Sequence, residues 1–67
     1  MRHFYTIKEY DRLYDAFVCK DNETGEELTL DLLEEEFDIP EKVIGKTISV
    51  DFVRPIIYAG WNAKLEN

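Results

Sequence analysis

Residues 46–53 read KTISVDFV, and their side chains alternate without interruption: Ile48, Val50 and Phe52 are apolar, while Thr47, Ser49 and Asp51 between them are polar. Successive side chains of a strand point to opposite faces, so this period of two predicts a half-buried strand with Ile48, Val50 and Phe52 on the core side. Pro55 follows closely, and proline is confined to edges, bulges and the first positions of strands. The chain is therefore expected to bend sharply there, with PIIYA (55–59) opening a further strand.

Upstream of this stretch, HFYTIKEY (3–10) and RLYDAFVCK (12–20) are rich in aromatic and β-branched residues and read as two strands. Apolar side chains fall on both faces of each, as expected where a strand packs on two sides or lies near a barrel closure. Between 20 and 26 the turn residues Asn22 and Gly25 predict a hairpin, with Gly25 in the left-handed position. A third strand follows, with Leu28 and Leu30 on one face and Glu27 and Thr29 on the other.

The period of two breaks at DLLEEEFD (31–38). Asp31 and Glu34 have capping-box spacing, and Leu33 and Phe37 stand at i,i+4, as one buried stripe of a helix requires. Carboxylates in a first turn also meet the positive end of the helix dipole, worth about 0.3–1 kcal/mol each at a surface. These features predict a short acidic helix over 31–37. A second helical turn is expected in IPEKVIG (39–45), with Pro40 near its start and Gly45 beyond its end. Three strands, a short acidic helix between strands 3 and 4, and two more strands give a mainly β domain. The expected architecture is a small five-stranded barrel of OB type, with an SH3-like barrel as the alternative.

The chain's 67 residues fit one domain, 1–67, and a domain of that size buries only about 60% of the surface its unfolded chain exposes. At 45% hydrophobic, with four Tyr, four Phe and one Trp, it is too apolar for a disordered acidic tail. The lone Cys19 cannot form an internal disulfide, and no pairing of Cys and His has zinc-ligand spacing, so burial must hold the fold. Cys19 itself, beside Phe17 and Val18, reads as a buried structural thiol. The tail GWNAKLEN (60–67) frays unless Trp61 docks, and Trp61 is expected to seal one end of the barrel. No apolar run reaches signal-peptide or transmembrane length, which points to a cytoplasmic setting without a membrane partner.

Charge is the feature that points to function. From Asp21 to Glu41 there are ten acidic residues and no basic one, which leaves five acids against eight bases in the other 46 residues, a net of +3. The whole chain carries −7. Carboxylates neighbouring on a helix or hairpin lie about 5–7 Å apart, inside the roughly 8 Å Debye length of physiological salt, so they repel one another until a basic surface covers them. The interval therefore reads as a binding face for a basic protein, most plausibly a nucleic-acid-binding enzyme. The protein would act there as a nucleic-acid mimic that inhibits or modulates its target, in the manner of small acidic inhibitors of viral or mobile-element origin.

The candidate partner-binding residues are Glu34, Glu35, Glu36 and Asp38 first, followed by Asp31, Glu26, Glu27, Asp21 and Glu23. Phe37, with Ile39 and Leu32, would form the dry centre. A monomer or a weak homodimer through a strand edge is expected.

The alternative functions are a single-stranded nucleic-acid-binding module or a small structural subunit of a larger assembly. The first rests on the bases and rings of residues 2–20, among them Arg2, His3, Phe4, Tyr5, Lys8, Tyr10, Arg12 and Tyr14. Acids interleave there, the segment sums to only +1, and direct nucleic-acid contact is not expected. Catalysis is not expected either, since no nucleophile, base and relay fall into a recognisable spacing. No metal or other cofactor is expected: with Gly25 at the sixth position of an EF-hand loop, Lys20 would occupy the first.

Overall fold

The computed structural model describes residues 2–54 and 59–66, and within them the chain is mainly β. Seven short strands are formed: β1 (His3–Asp11), β2 (Ala16–Asp21), β3 (Glu27–Leu32), β4 (Thr47–Val50), β5 (Phe52–Arg54), β6 (Ala59–Trp61) and β7 (Lys64–Leu65). They join into one sheet in the order β5-β6-β3-β2-β1-β4-β7. All neighbours are antiparallel except β3 and β6, which run parallel with Asp31 beside Ala59 and Leu32 beside Gly60. Only Asp51 separates β4 from β5, yet the two strands lie towards opposite ends of that order, so the sheet curls into a half-barrel.

That curl explains why seven strands appear where the sequence predicts five. The alternation of KTISVDFV does not run through. Ile48 and Val50 are wholly buried as expected, but Phe52 is 52% exposed and Val53 packs against the core instead. The phase slips at Asp51, whose N–H donates to the Trp61 carbonyl at 2.9 Å, and one predicted strand becomes two. Ser49 is also fully buried although the alternation places it on the outer face, because its hydroxyl accepts from Arg2 Nε at 2.7 Å and donates to Glu66 at 2.5 Å. The expected strand at 55–59 lies outside the described residues except for Ala59, where β6 begins.

Elsewhere local chemistry sets the boundaries. Residues 12–15 form a turn rather than the start of a strand: Asp11 Oδ1 accepts from the Leu13 and Tyr14 N–H groups, and Asp15 takes a positive φ of 51°. The β2–β3 hairpin falls where Asn22 and Gly25 predict it, with Gly25 at φ 81° and its N–H on the Asp21 carbonyl. Asp21 Oδ1 tightens the loop by accepting from the Glu23 and Thr24 N–H groups.

The acidic helix over 31–37 is not present. β3 extends through Asp31 and Leu32, because β6 offers their backbone a parallel partner, and only a 3-10 turn at Glu35–Phe37 remains. A helix nucleus is costly to form, and three successive glutamates gain no i,i+4 pair that would offset the cost. Glu34 occupies the cap position without a side-chain hydrogen bond, and Leu33 is exposed while Phe37 is buried, so the expected stripe is broken. A second 3-10 turn, Pro40–Lys42, lies where Pro40 and Gly45 place it, with Gly45 at φ 84°.

The core joins Tyr5, Ile7, Phe17, Cys19, Leu30, Leu32, Phe37, Val43, Ile48, Val50 and Ala63. Phe17 sits at its aromatic centre, 5.2 Å from the Tyr10 ring and 6.0 Å from Phe37. Burial pushes the Cys19 thiol up to about 12, as suits a structural cysteine. Among the described residues no helix is long and apolar enough to cross a membrane.

Candidate partner-binding surface

The strand β3 decides how the acidic interval is distributed. It starts at Glu27 and ends at Leu32, so at about 3.3 Å per residue Glu27 and Asp31 stand roughly 13 Å apart, with the remaining acids beyond either end. At one pole, the hairpin tip carries Asp21, Glu23, Glu26 and Glu27. It packs beside the start of β1, with Asn22 N–H on the Phe4 carbonyl at 3.0 Å and Thr6 Oγ1 donating to Asn22 Oδ1 at 2.7 Å. Desolvation raises the Tyr5 hydroxyl above its usual value, and the nearby carboxylates Asp21 and Glu26 raise it further. Lys20 faces Glu27 directly across the β2–β3 pair, which places one base at the margin of this patch.

At the other pole lie Asp31, Glu34, Glu35, Glu36 and Asp38, the residues weighted first from sequence. Asp31 and Asp38 line a cleft of about 300 Å³ together with Asp15, Tyr10 and Leu33. Asp15 carries no signal for this place in the local sequence. It lies outside the interval 21–41 and joins it only because the β1–β2 turn sits at the same end of the sheet as the end of β3. The Tyr10 hydroxyl donates to Asp15 Oδ1, and that bond raises the phenol above its usual range. Glu41, by contrast, turns toward bases: it shares an open groove of about 630 Å³ with Lys8, Arg12, Glu9, Tyr10 and Ile44.

Phe37 lines the floor of the Asp31–Asp38 cleft but is almost wholly buried there. Its ring is buried against Phe17, so it supports the acidic turn from beneath and cannot supply the dry centre expected of it. Leu32 is buried as well, whereas Ile39 remains exposed. None of the ten carboxylates of 21–41 is ion-paired among the described residues, where the single ion pair is Arg2–Asp51 at 2.7 Å. No group of three or more His, Cys, Asp or Glu side chains among the described residues is arranged to hold a metal ion.

A polar clasp stands apart from both patches and was invisible to residue-by-residue reading. Arg2 donates to Ser49 Oγ, to the Ser49 carbonyl at 2.8 Å, to Asp51 Oδ1 at 2.7 Å and to the Asn62 carbonyl at 2.5 Å. Asn62 Nδ2 closes the ring on Asp51 Oδ2 at 2.9 Å. The Asn62 hydrogen bond, together with Arg2, holds the Asp51 carboxyl below its ordinary value. The clasp ties the beginning of the chain, the β4–β5 bend and the segment after β6 together, so the C-terminal residues dock through Ala63 and β7 rather than through Trp61. Trp61 does not seal an end of the curled sheet. It is 45% exposed and stacks on Phe52. No protein-family model, curated protein or solved structure matches this chain.

Proposed function

We propose that the protein is a non-catalytic, acidic protein-binding domain that occupies the nucleic-acid-binding surface of a basic partner and so inhibits or modulates it. The observation that supports this reading is the run of carboxylates at the β3 exit. Asp31, Glu34, Glu35, Glu36 and Asp38 carry no ion pair among the described residues, and Asp15 adds to them. Uncompensated charges of one sign within a Debye length are relieved when a basic surface arrives, and the same field steers the encounter. The hairpin pole, which Lys20 borders, is the secondary contact.

The scaffold for this face is read as a five-stranded OB-like barrel: β4 and β5 count as one bent strand, β6 as the fifth, and β7 as an addition. Single-stranded nucleic-acid binding is the second reading, favoured by the exposed Phe52 and Trp61 rings and opposed by the net charge of −7. A column pair separates the two. Under the first reading an anion exchanger retains the protein while heparin lets it pass; retention on heparin overturns it. Glu34→Lys/Glu35→Lys is then expected to slow association with a basic partner at low salt and to flatten its salt dependence, and an unchanged rate leaves the acidic turn without a binding role.

A further inference from the structure

Phe52 and Trp61 are the largest exposed ring pair of the described surface, and nothing in the acidic reading accounts for them. They face each other directly across the β5–β6 pair, with ring centroids 5.8 Å apart and planes inclined by 13°. A domain this short gains most from placing its aromatics inside, yet these two stand 52% and 45% exposed. They are also held in place. The residues that bracket them, Asp51 before Phe52 and Asn62 after Trp61, are bonded to each other at 2.9 Å, and Arg2 bridges both. Fixing a contact surface before the partner arrives removes part of the ordering cost of binding.

The neighbourhood of this shelf sets the chemistry of its ligand. β3 and β6 run parallel with Leu32 beside Gly60, and the two chains leave that pair at Leu33 on one strand and Trp61 on the other. Leu32 and Gly60 face inward, and a Cβ on Gly60 would stand 2.9 Å from Leu32 Cδ2, which leaves the following residues, Leu33 and Trp61, to face outward. Glu34, Glu35 and Glu36 continue directly from Leu33. Two near-parallel exposed rings, near a strand end from which three glutamates run on, suit a planar cation with weakly hydrated faces. Guanidinium fits this description, stacking on an aromatic face while its N–H groups reach carboxylates, and the more strongly hydrated ammonium of lysine does not. A nucleic-acid base also stacks on such rings, but its phosphates would meet Glu34–Glu36 and a molecule of charge −7.

We propose that the Phe52–Trp61 shelf receives an arginine side chain of the basic partner, with Glu34, Glu35 and Glu36 taking the bases that flank it. This rests on the acidic protein-binding reading and adds to it a preference for arginine. Trp61 is the chain's single tryptophan, so its emission reports the shelf directly. The experiment titrates the intact protein with a decaarginine peptide, a decalysine peptide and an oligothymidylate of matched length, following Trp61 fluorescence and, separately, affinity by calorimetry.

The arginine peptide is expected to perturb Trp61 emission and to bind about three- to tenfold more tightly than the lysine peptide, as stacking on a desolvated ring provides. In Trp61→Leu the two peptides become equivalent. Equal affinities for the two peptides on the wild-type protein, a comparison that needs no variant to fold, overturn the shelf while leaving the acidic reading standing. Binding of neither peptide overturns both. Quenching by oligothymidylate in place of the peptides also overturns both and assigns the shelf to nucleic-acid bases.

Discussion

Replacing Arg2 with alanine removes the centre of the clasp, and its cost can be worked from the contacts. Four hydrogen bonds leave the guanidinium, two of them to Ser49, which is fully buried. The Arg2 side chain is only 25% exposed, so its stem also packs. The bond to Asp51 contributes little, because that carboxylate is 47% exposed and solvated. The two Ser49 bonds and the one to the Asn62 carbonyl, at about 1 kcal/mol net each, the middle of the usual range, place the loss at about 3 kcal/mol.

For a domain of this size that is a fall of roughly 10–20 °C in Tm. Urea unfolding followed by Trp61 emission and by circular dichroism measures it, and a double-mutant cycle with Ser49→Ala should return a clear coupling. A loss below about 0.5 kcal/mol, ordinary for a surface substitution, would refute the role given to the clasp.

Other outcomes follow from single contacts. Gly60→Ala places a Cβ 2.9 Å from Leu32 Cδ2 and 3.0 Å from Val50 Cγ1, and the overpacking should cost about 1–3 kcal/mol in urea unfolding. Cys19, buried and with its thiol raised to about 12, should resist alkylation in the native protein and react fully in urea. Its folded value above the ordinary one gives stability that is complete below about pH 9 and declines as pH rises toward 12, so Cys19→Ser should flatten an alkaline unfolding profile. Asp51, held below its ordinary value, contributes stability that is present above about pH 4 and lost as pH falls through the lowered value, so Asp51→Asn should be less acid-sensitive than the wild type. Glu35→Lys/Glu36→Lys should leave Tm unchanged or raise it, because repulsion is removed and no native ion pair of a described residue is broken.

The sequence carries its β character openly, since runs such as HFYTIKEY have few other ways to bury their rings. The Gly25 hairpin and the turn between Pro40 and Gly45 are equally legible, because left-handed backbone and fixed φ are written in single residues. Three features are not. The phase slip after Val50 depends on Arg2 and Asn62 meeting Asp51, partners 49 and 11 positions away, while the local pattern still alternates. The helix at 31–37 satisfies its own spacing rules but loses to a parallel pairing with β6, a competitor that no local window contains. Finally, the acidic interval is continuous in sequence and divided in space, since one strand of six residues carries its two halves to opposite ends of the sheet while the β1–β2 turn brings in Asp15.

Competition tests the central claim most directly. A basic nucleic-acid-binding protein captured on the immobilised domain is challenged with duplex DNA or with RNA at constant ionic strength, in parallel with the Glu34→Lys/Glu35→Lys variant. Mimicry predicts that nucleic acid displaces the partner in proportion to its own affinity and that the variant captures little. A partner that stays bound under saturating nucleic acid, and that the variant holds equally well, contradicts it.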